Sequence, residues 1–339
     1  MADVHLIREM METPDIIRNF NTEAVRSVYE KISKTTALML TGEGSSRIFP
    51  AKNLVFRRLQ HNKGPAVLTE SAFDLSGLDL SAYVLFGASN SGRTKELIGL
   101  FKELSMSGHR NLFGLTCTED SLLEEICRQV VVLRTGKELA VAATKSVVAQ
   151  ALFYDFLLGH WTGATPEKDV LAGEFENALS TPLDPSIIED ICRAEHVYFC
   201  GMHNGVAEEL ALKVNETIRK KSAYFPGTYL LHGVEEVVGK DDVIVLVDDM
   251  PGHLEKIRDV YLRSVGCRVI AISAGETIFP TLTVGSSSSL HNPYIRLAAG
   301  WNLLSTAGLA LKINMDLPVR ARKIGNEFTG TDNPYKRVS

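Results

Sequence analysis

The 339 residues suffice for about two domains or one large α/β unit with substantial buried cores. Hydrophobic residues make up 45%, charged residues 23% and aromatics 7%, a balance that excludes disordered and collagen-like chains. Lys+Arg 36 against Asp+Glu 41 gives a net charge of −5, and no basic run exceeds Arg219-Lys220-Lys221, so nucleic acid is excluded as a partner and small molecules or like subunits are expected.

The N-terminal stretch is amphipathic and of mixed charge rather than basic and then apolar, and no apolar run is long enough to cross a bilayer, so a cytoplasmic protein without membrane association is expected. Ile7 to Ile32 shows helical apolar spacing, with Thr13-Pro14 placed as an N-cap followed by Pro at the first helical position. Ala37-Leu38-Met39-Leu40-Thr41 then reads as a strand, Gly42-Glu43-Gly44-Ser45-Ser46 as a turn, and the stretch to Leu59 as a helix. The pattern recurs from Tyr83 to Gly87, through the turn Ala88 to Thr94, into a helix closed by Gly108. Asn111 to Leu115, a helix around Leu122 to Arg128, and the β-branched run Val130 to Leu133 complete the first half. Short apolar strands alternating with helices predict a parallel sheet covered on both faces.

A helical segment near Pro166 to Leu179 marks the join, and the second half repeats the scheme. His196 to Gly201 leads into a helix from Val206 to Lys221; Asp242 to Val247 leads through Asp248 to Gly252 into a helix closed by Gly266. Gly42 and Gly201, Gly92 and Gly252, and Gly108 and Gly266 pair at offsets near 160 residues, too long for a solenoid period and consistent with a duplicated domain. Gly285 to Ser289 is expected to be a surface loop before a last apolar helix, Pro293 to Ile313. The predicted partition is an N-terminal helical segment 1–33, domains 34–165 and 189–313 joined by the linker 166–188, and a C-terminal tail 314–339.

Several clusters carry possible chemistry. In Ser89-Asn90-Ser91-Gly92-Arg93-Thr94, hydroxyls and backbone N–H groups gather before a helix, which suits either a phosphate or an ordinary capped turn. Gly42 to Arg47 supplies only part of a dinucleotide fingerprint, since Arg47 stands at the third glycine position. Lys137 to Ser146 reads as a further phosphate-side contact or a capped helix start. Glu209, Lys213 and Glu216 share one helix face at i, i+4 and i+7, either as a solvated face or as a carboxylate base held ionised by lysine. His232 follows a Pro226-Gly227 break, and Asp316 to Lys323 is a basic, extended tail. The five scattered cysteines lack metal-ligand spacing and are expected to be reduced thiols.

Taken together, the Ser-x-Ser-Gly-x-Thr turn, the run Glu138 to Lys145, the Glu-x-x-x-Lys-x-x-Glu helix with His232 sixteen residues after Glu216, and the Asp-x-Pro-x-x-x-x-Lys tail resemble the tandem sugar-isomerase (SIS) domain family. Within that family the likeness is to the isomerase half of glucosamine-6-phosphate synthase and to SIS-type glucosamine-6-phosphate deaminases. It implies two doubly wound, flavodoxin-like α/β subdomains with N-terminal helices and a closing C-terminal tail.

The resemblance further implies that Ser46, Ser89, Asn90, Ser91 and Thr94, with Val141 and Ala143, bind a sugar phosphate. By the same resemblance Glu216 is the base between C1 and C2, Glu209 and Lys213 support it, His232 opens the ring from a neighbouring subunit of a homodimer, and Lys323 forms a Schiff base. No metal or redox cofactor is required. Arg93, Ala143 and Val234 stand where the synthase family has glutamate, serine and proline. Without a cysteine at position 2 or a glutaminase domain, glutamine is not expected to supply ammonia. The expected function is therefore a hexosamine 6-phosphate deaminase/isomerase, with a fructosamine 6-phosphate deglycase or a non-catalytic sugar-phosphate sensor as alternatives.

Overall fold

The computed structural model describes residues 4–322 and 324–329. Its first half runs α1 (His5–Arg18), α2 (Thr22–Ile32), β1 (Ala37–Gly42), α3 (Ile48–Leu59), β2 (Ala66–Ser71), α4 (Ala72–Leu75), β3 (Val84–Ala88), α5 (Lys95–Met106), β4 (Leu112–Thr116), α6 (Leu122–Ile126), β5 (Gln129–Val132) and α7 (Lys145–Thr162). The second half continues with α8 (Lys168–Ser180), α9 (Pro185–Arg193), β6 (Val197–Gly201), α10 (Val206–Thr217), β7 (Tyr224–Pro226), β8 (Val243–Val247), α11 (Leu254–Ile257), β9 (Arg268–Ser273), β10 (Thr281–Thr283) and α12 (Asn292–Ala310).

The strands form two parallel sheets of five, in the orders β2-β1-β3-β4-β5 and β7-β6-β8-β9-β10. These are one topology used twice, so the duplication read from glycine spacing is a duplication of fold. The central strands β3 (Val-Leu-Phe-Gly-Ala) and β8 (Val-Ile-Val-Leu-Val) are buried along their whole length, as parallel strands covered on both faces must be. Gly42 and Gly201 show why that repeat needs glycine. A Cβ on Gly42 would stand 2.7 Å from the Ala88 carbonyl oxygen, and one on Gly201 would stand 2.5 Å from that of Val247. In each sheet the glycine ends the first strand where the strand order reverses, the place at which such sheets open a crevice for ligands.

Packing groups the chain into two units. One holds the first sheet with Asn19–Glu138, Ala143–Pro166 and the tail beyond Pro318; the other holds the second sheet with the chain up to Arg18, Leu139–Ala142 and Glu167–Pro318. In the first-sheet unit, α7 is apolar on every side and buried over most of its length, packing against α3 and α2. In the second-sheet unit, α12 has the same character and packs against α8, α9 and α10.

Two predicted boundaries shift. Pro14 is buried inside α1 rather than opening a helix, and the Thr13 hydroxyl donates to the Glu9 carbonyl 3.1 Å away. The start of α1 is capped instead by Asp316, whose carboxylate accepts from the backbone N–H groups of His5 and Leu6, each at 2.8 Å. The Val206 helix stops at Thr217 rather than Lys221, because Arg219 adopts a left-handed φ of 55° and donates to the Asn314 and Leu317 carbonyls. No helix among the described residues is long and apolar enough to cross a membrane. The five cysteines are free thiols, and burial pushes Cys200 and Cys267 up to about 12.

Candidate active site

In the first-sheet unit, the turn after β3 is held from below and from the side. The Asn90 carbonyl accepts from Cys117 N–H at 3.1 Å, Thr116 Oγ1 at 3.1 Å and Thr118 Oγ1 at 3.0 Å. Ser89 Oγ lies 2.8 Å from Thr94 Oγ1, and the Arg93 N–H donates to Ser91 Oγ at 3.2 Å. Gly92 has a left-handed φ of 63°, and a Cβ there would meet the Ser121 Cβ at 2.4 Å. The hydroxyls of Ser89, Ser91 and Thr94 thus lie just before the N-terminus of α5, where a helix dipole favours an anion. Ser46 lies in the turn after β1, and the fully buried Gln150 of α7 reaches it, Nε2 to Oγ at 3.5 Å.

Glu138 caps the start of α7, as one of the two readings of Lys137 to Ser146 expects. One carboxylate oxygen accepts from the N–H groups of Thr144 at 2.9 Å and Ser146 at 3.1 Å. The other accepts from Ser146 Oγ and from Asn90 Nδ2, both at 2.7 Å. A buried carboxylate is thereby hydrogen-bonded to a helix N-terminus and tied to the turn after β3. Ala143, in the same unit, and Val141, in the other, are each half-buried.

The tail returns to this turn. Asn326 accepts from the Lys95 N–H at 2.9 Å, Phe328 donates to the Arg93 carbonyl at 2.9 Å, and Asn326 Nδ2 reaches Glu96 at 2.6 Å. The Phe328 ring packs beside the core around α5, with Lys102 Nζ 4.3 Å from its centroid. Lys323 lies outside the described residues.

In the second-sheet unit, α10 begins at Gly205, with Asn204 Oδ1 accepting from the Val206 N–H at 3.1 Å. Glu209, Lys213 and Glu216 form one ion-pair chain along its face. Lys213 Nζ is 3.0 Å from Glu209 Oε1 and 2.8 Å from Glu216 Oε2. Glu209 and Lys213 are buried, while Glu216 is 26% exposed. Burial works against the lysine charge, but the two carboxylates outweigh it and hold the ammonium above its ordinary pKa. The motif is therefore a buried relay rather than a solvated helix face. It leaves Glu216 with one oxygen anchored on Lys213 and the other without a hydrogen bond among the described residues. His232 is exposed at the end of the turn Gly227–Leu231, and its ring makes no hydrogen bond among the described residues.

The second sheet has its own counterpart of the turn after β3, with acidic residues in place of hydroxyls. After β8, in the position that Ser89 takes after β3, stands Asp248 with a left-handed φ of 92°. Asp248 accepts from the Met202 N–H at 2.9 Å and pairs with Arg296 of α12, which also reaches Asp249 at 3.1 Å. The turn after β8 thus carries two carboxylates paired with an arginine where the turn after β3 carries hydroxyls.

No protein-family model matches the chain. Over 92% of its length it is 23% identical to glutamine–fructose-6-phosphate aminotransferase [isomerizing] of Sulfolobus acidocaldarius, and the match covers 56% of that protein. The chain spans about half the length of the curated relatives it matches. Among solved structures, the C-terminal domain of glucosamine-fructose-6-phosphate aminotransferase from Francisella tularensis superposes with a TM-score of 0.78 at 19% identity, covering 93% of this chain and 98% of that one. Glucosamine-6-phosphate deaminase from Thermotoga maritima gives a TM-score of 0.69 at 22% identity, covering 92% of this chain and 98% of that one.

Proposed function

We propose that this chain, which carries the tandem sugar-isomerase (SIS) fold, is a phosphosugar aldose–ketose isomerase acting on a hexosamine 6-phosphate with release of ammonia. The observation that carries the reading is Glu216, anchored through one oxygen on the buried Lys213, its other oxygen without a hydrogen bond among the described residues. A base that moves a proton between adjacent carbons must be oriented and accessible, and the Lys213 anchor and partial exposure of Glu216 support both.

In this reading the turn Ser89 to Thr94, with Ser46, holds the phosphate, while Glu216 takes the proton from C2 of the open-chain sugar and returns it to C1. For glucosamine 6-phosphate this converts the C1 aldehyde and C2 amine into a C2 iminium, which water hydrolyses to fructose 6-phosphate and ammonia. Lys213 orients Glu216 through their ion pair, and Glu209 balances the lysine. His232, exposed and without a hydrogen bond among the described residues, is assigned to ring opening in the neighbouring subunit of a cytoplasmic homodimer. Lys323, which lies outside the described residues, is assigned to iminium formation with the ketose, a role open to a lysine amine.

The test is ammonia release together with fructose 6-phosphate formation from glucosamine 6-phosphate, with Glu216→Gln as control. Release that depends on Glu216 is expected. Absence of release, with hexose 6-phosphates still binding through their phosphate, would remove the deaminase assignment and direct attention to fructosamine 6-phosphates.

A further inference from the structure

Asn90 sits among phosphate-turn residues, yet its side-chain donor is already spent. The amide Nδ2 donates to Glu138 at 2.7 Å, and a carboxylate can only accept, so the atom facing Glu138 must be the nitrogen. The backbone of Asn90 is fixed by the three donors on its carbonyl, from Thr116, Cys117 and Thr118. Glu138 is itself fixed by Thr144 and Ser146 at the start of α7. What remains is Oδ1, an acceptor on a half-buried side chain that has no hydrogen-bond partner among the described residues.

From this geometry we infer that Asn90 is a specificity-determining residue that accepts a hydrogen bond from a hydroxyl or amine of the sugar, and that Glu138 is the positioning residue that sets its amide. An acceptor oxygen is electrostatically wrong for a phosphate oxygen and right for a sugar O–H or N–H. Under this inference the Asn90 side chain faces the sugar rather than the phosphate, with Ser89, Ser91 and Thr94 kept in the phosphate role. The buried carboxylate, out of place near an anion site by charge alone, gains a purpose: it prevents the amide from flipping. The inference rests on the phosphosugar reading of the site.

The test compares two probes on the intact chain: inorganic phosphate, and glucitol 6-phosphate, an open-chain hexose phosphate with no carbonyl to isomerise. For Asn90→Ala, affinity for glucitol 6-phosphate is expected to fall about tenfold while that for phosphate stays within about twofold. Glu138→Gln keeps an oxygen to cap α7 but adds a donor, which frees the Asn90 amide to turn. The same selective loss is expected, without a matching loss for phosphate. A purely structural role for either residue would lower both affinities together, and equal losses, or no loss in either variant, would overturn the inference. Should Glu138→Gln fail to fold, Asn90→Ala alone decides. Wild-type protein that binds neither probe would overturn the inference and the phosphosugar reading together, whereas binding of both with an unchanged ratio in the variants would overturn the inference alone.

Discussion

Replacing Lys213 by methionine removes the charge at the centre of the α10 relay while nearly keeping its length and volume. Lys213 is 1% exposed and bridges Glu209, which is fully buried, and Glu216. The variant leaves the buried Glu209 and the partly exposed Glu216 without the cation between them. Breaking a buried pair in this way costs about 3–5 kcal/mol, a large share of the roughly 5–15 kcal/mol that holds a folded domain together. Urea unfolding at pH 7 is the assay, and a destabilisation below about 1 kcal/mol would refute the reasoning by reducing the relay to the worth of a surface pair. Restoring neutrality with Glu209→Gln in the Lys213→Met background should recover much of the loss, a non-additivity that only coupled residues give.

The pH dependence supplies a second check on the same residue. Because the folded pKa of Lys213 lies above its ordinary 10.5, its stabilising contribution is fully present below that value and is lost as pH rises through the folded value. Wild-type protein should therefore shed stability in strongly alkaline solution, and Lys213→Met should lack that component. Below neutrality the variant should regain stability relative to its value at pH 7, because protonation relieves the uncompensated carboxylates. A variant whose deficit is the same at pH 5 and pH 7 would contradict this.

Other consequences are accessible to simple assays. Gly92→Ala forces a Cβ against Ser121 at a left-handed φ, so a loss of about 1–3 kcal/mol in unfolding free energy and weaker binding of inorganic phosphate are expected; wild-type values for both would refute the assigned strain. Phe328→Ala releases the ring that packs beside α5, and should raise KM for the sugar phosphate several-fold with little change in melting temperature. An unchanged KM would show that the tail contact has no bearing on the site. If His232 acts across a dimer, mixing inactive Glu216→Gln and His232→Ala chains should restore part of the activity, and verified subunit exchange without recovery would place the site within one chain.

The duplicated fold was legible because its signals are local. Continuous apolar runs such as Val243 to Val247 and the paired glycines at 42 and 201 reflect strands buried on both faces and a close approach to a neighbouring carbonyl. The short edge strands β2, β7 and β10 were not singled out, since half-exposed segments such as Tyr224–Pro226 carry little periodicity. Asp316 as the cap of α1 was equally hidden: it lies 311 residues from His5, and nothing near Thr13-Pro14 signals that a helix runs through the proline. In the site, the spacing of Glu209, Lys213 and Glu216 fixed a shared helix face but could not tell a solvated face from a buried relay. Burial decides that, and burial depends on what the rest of the fold packs against α10. The Glu138–Asn90 bond joins residues 48 apart, and with it went the side-chain orientation that separates a phosphate donor from a sugar acceptor.

The proposed role of Glu216 is to move a proton between C1 and C2 of a phosphosugar. Incubating the protein in deuterated water with glucosamine 6-phosphate or fructose 6-phosphate, and following the C1 and C2 positions by NMR, reads that transfer directly. The account predicts deuterium incorporation by wild-type protein and a decrease of about 100-fold or more in Glu216→Gln at unchanged folding. Absence of incorporation with either sugar, or incorporation that survives the loss of Glu216, would contradict it.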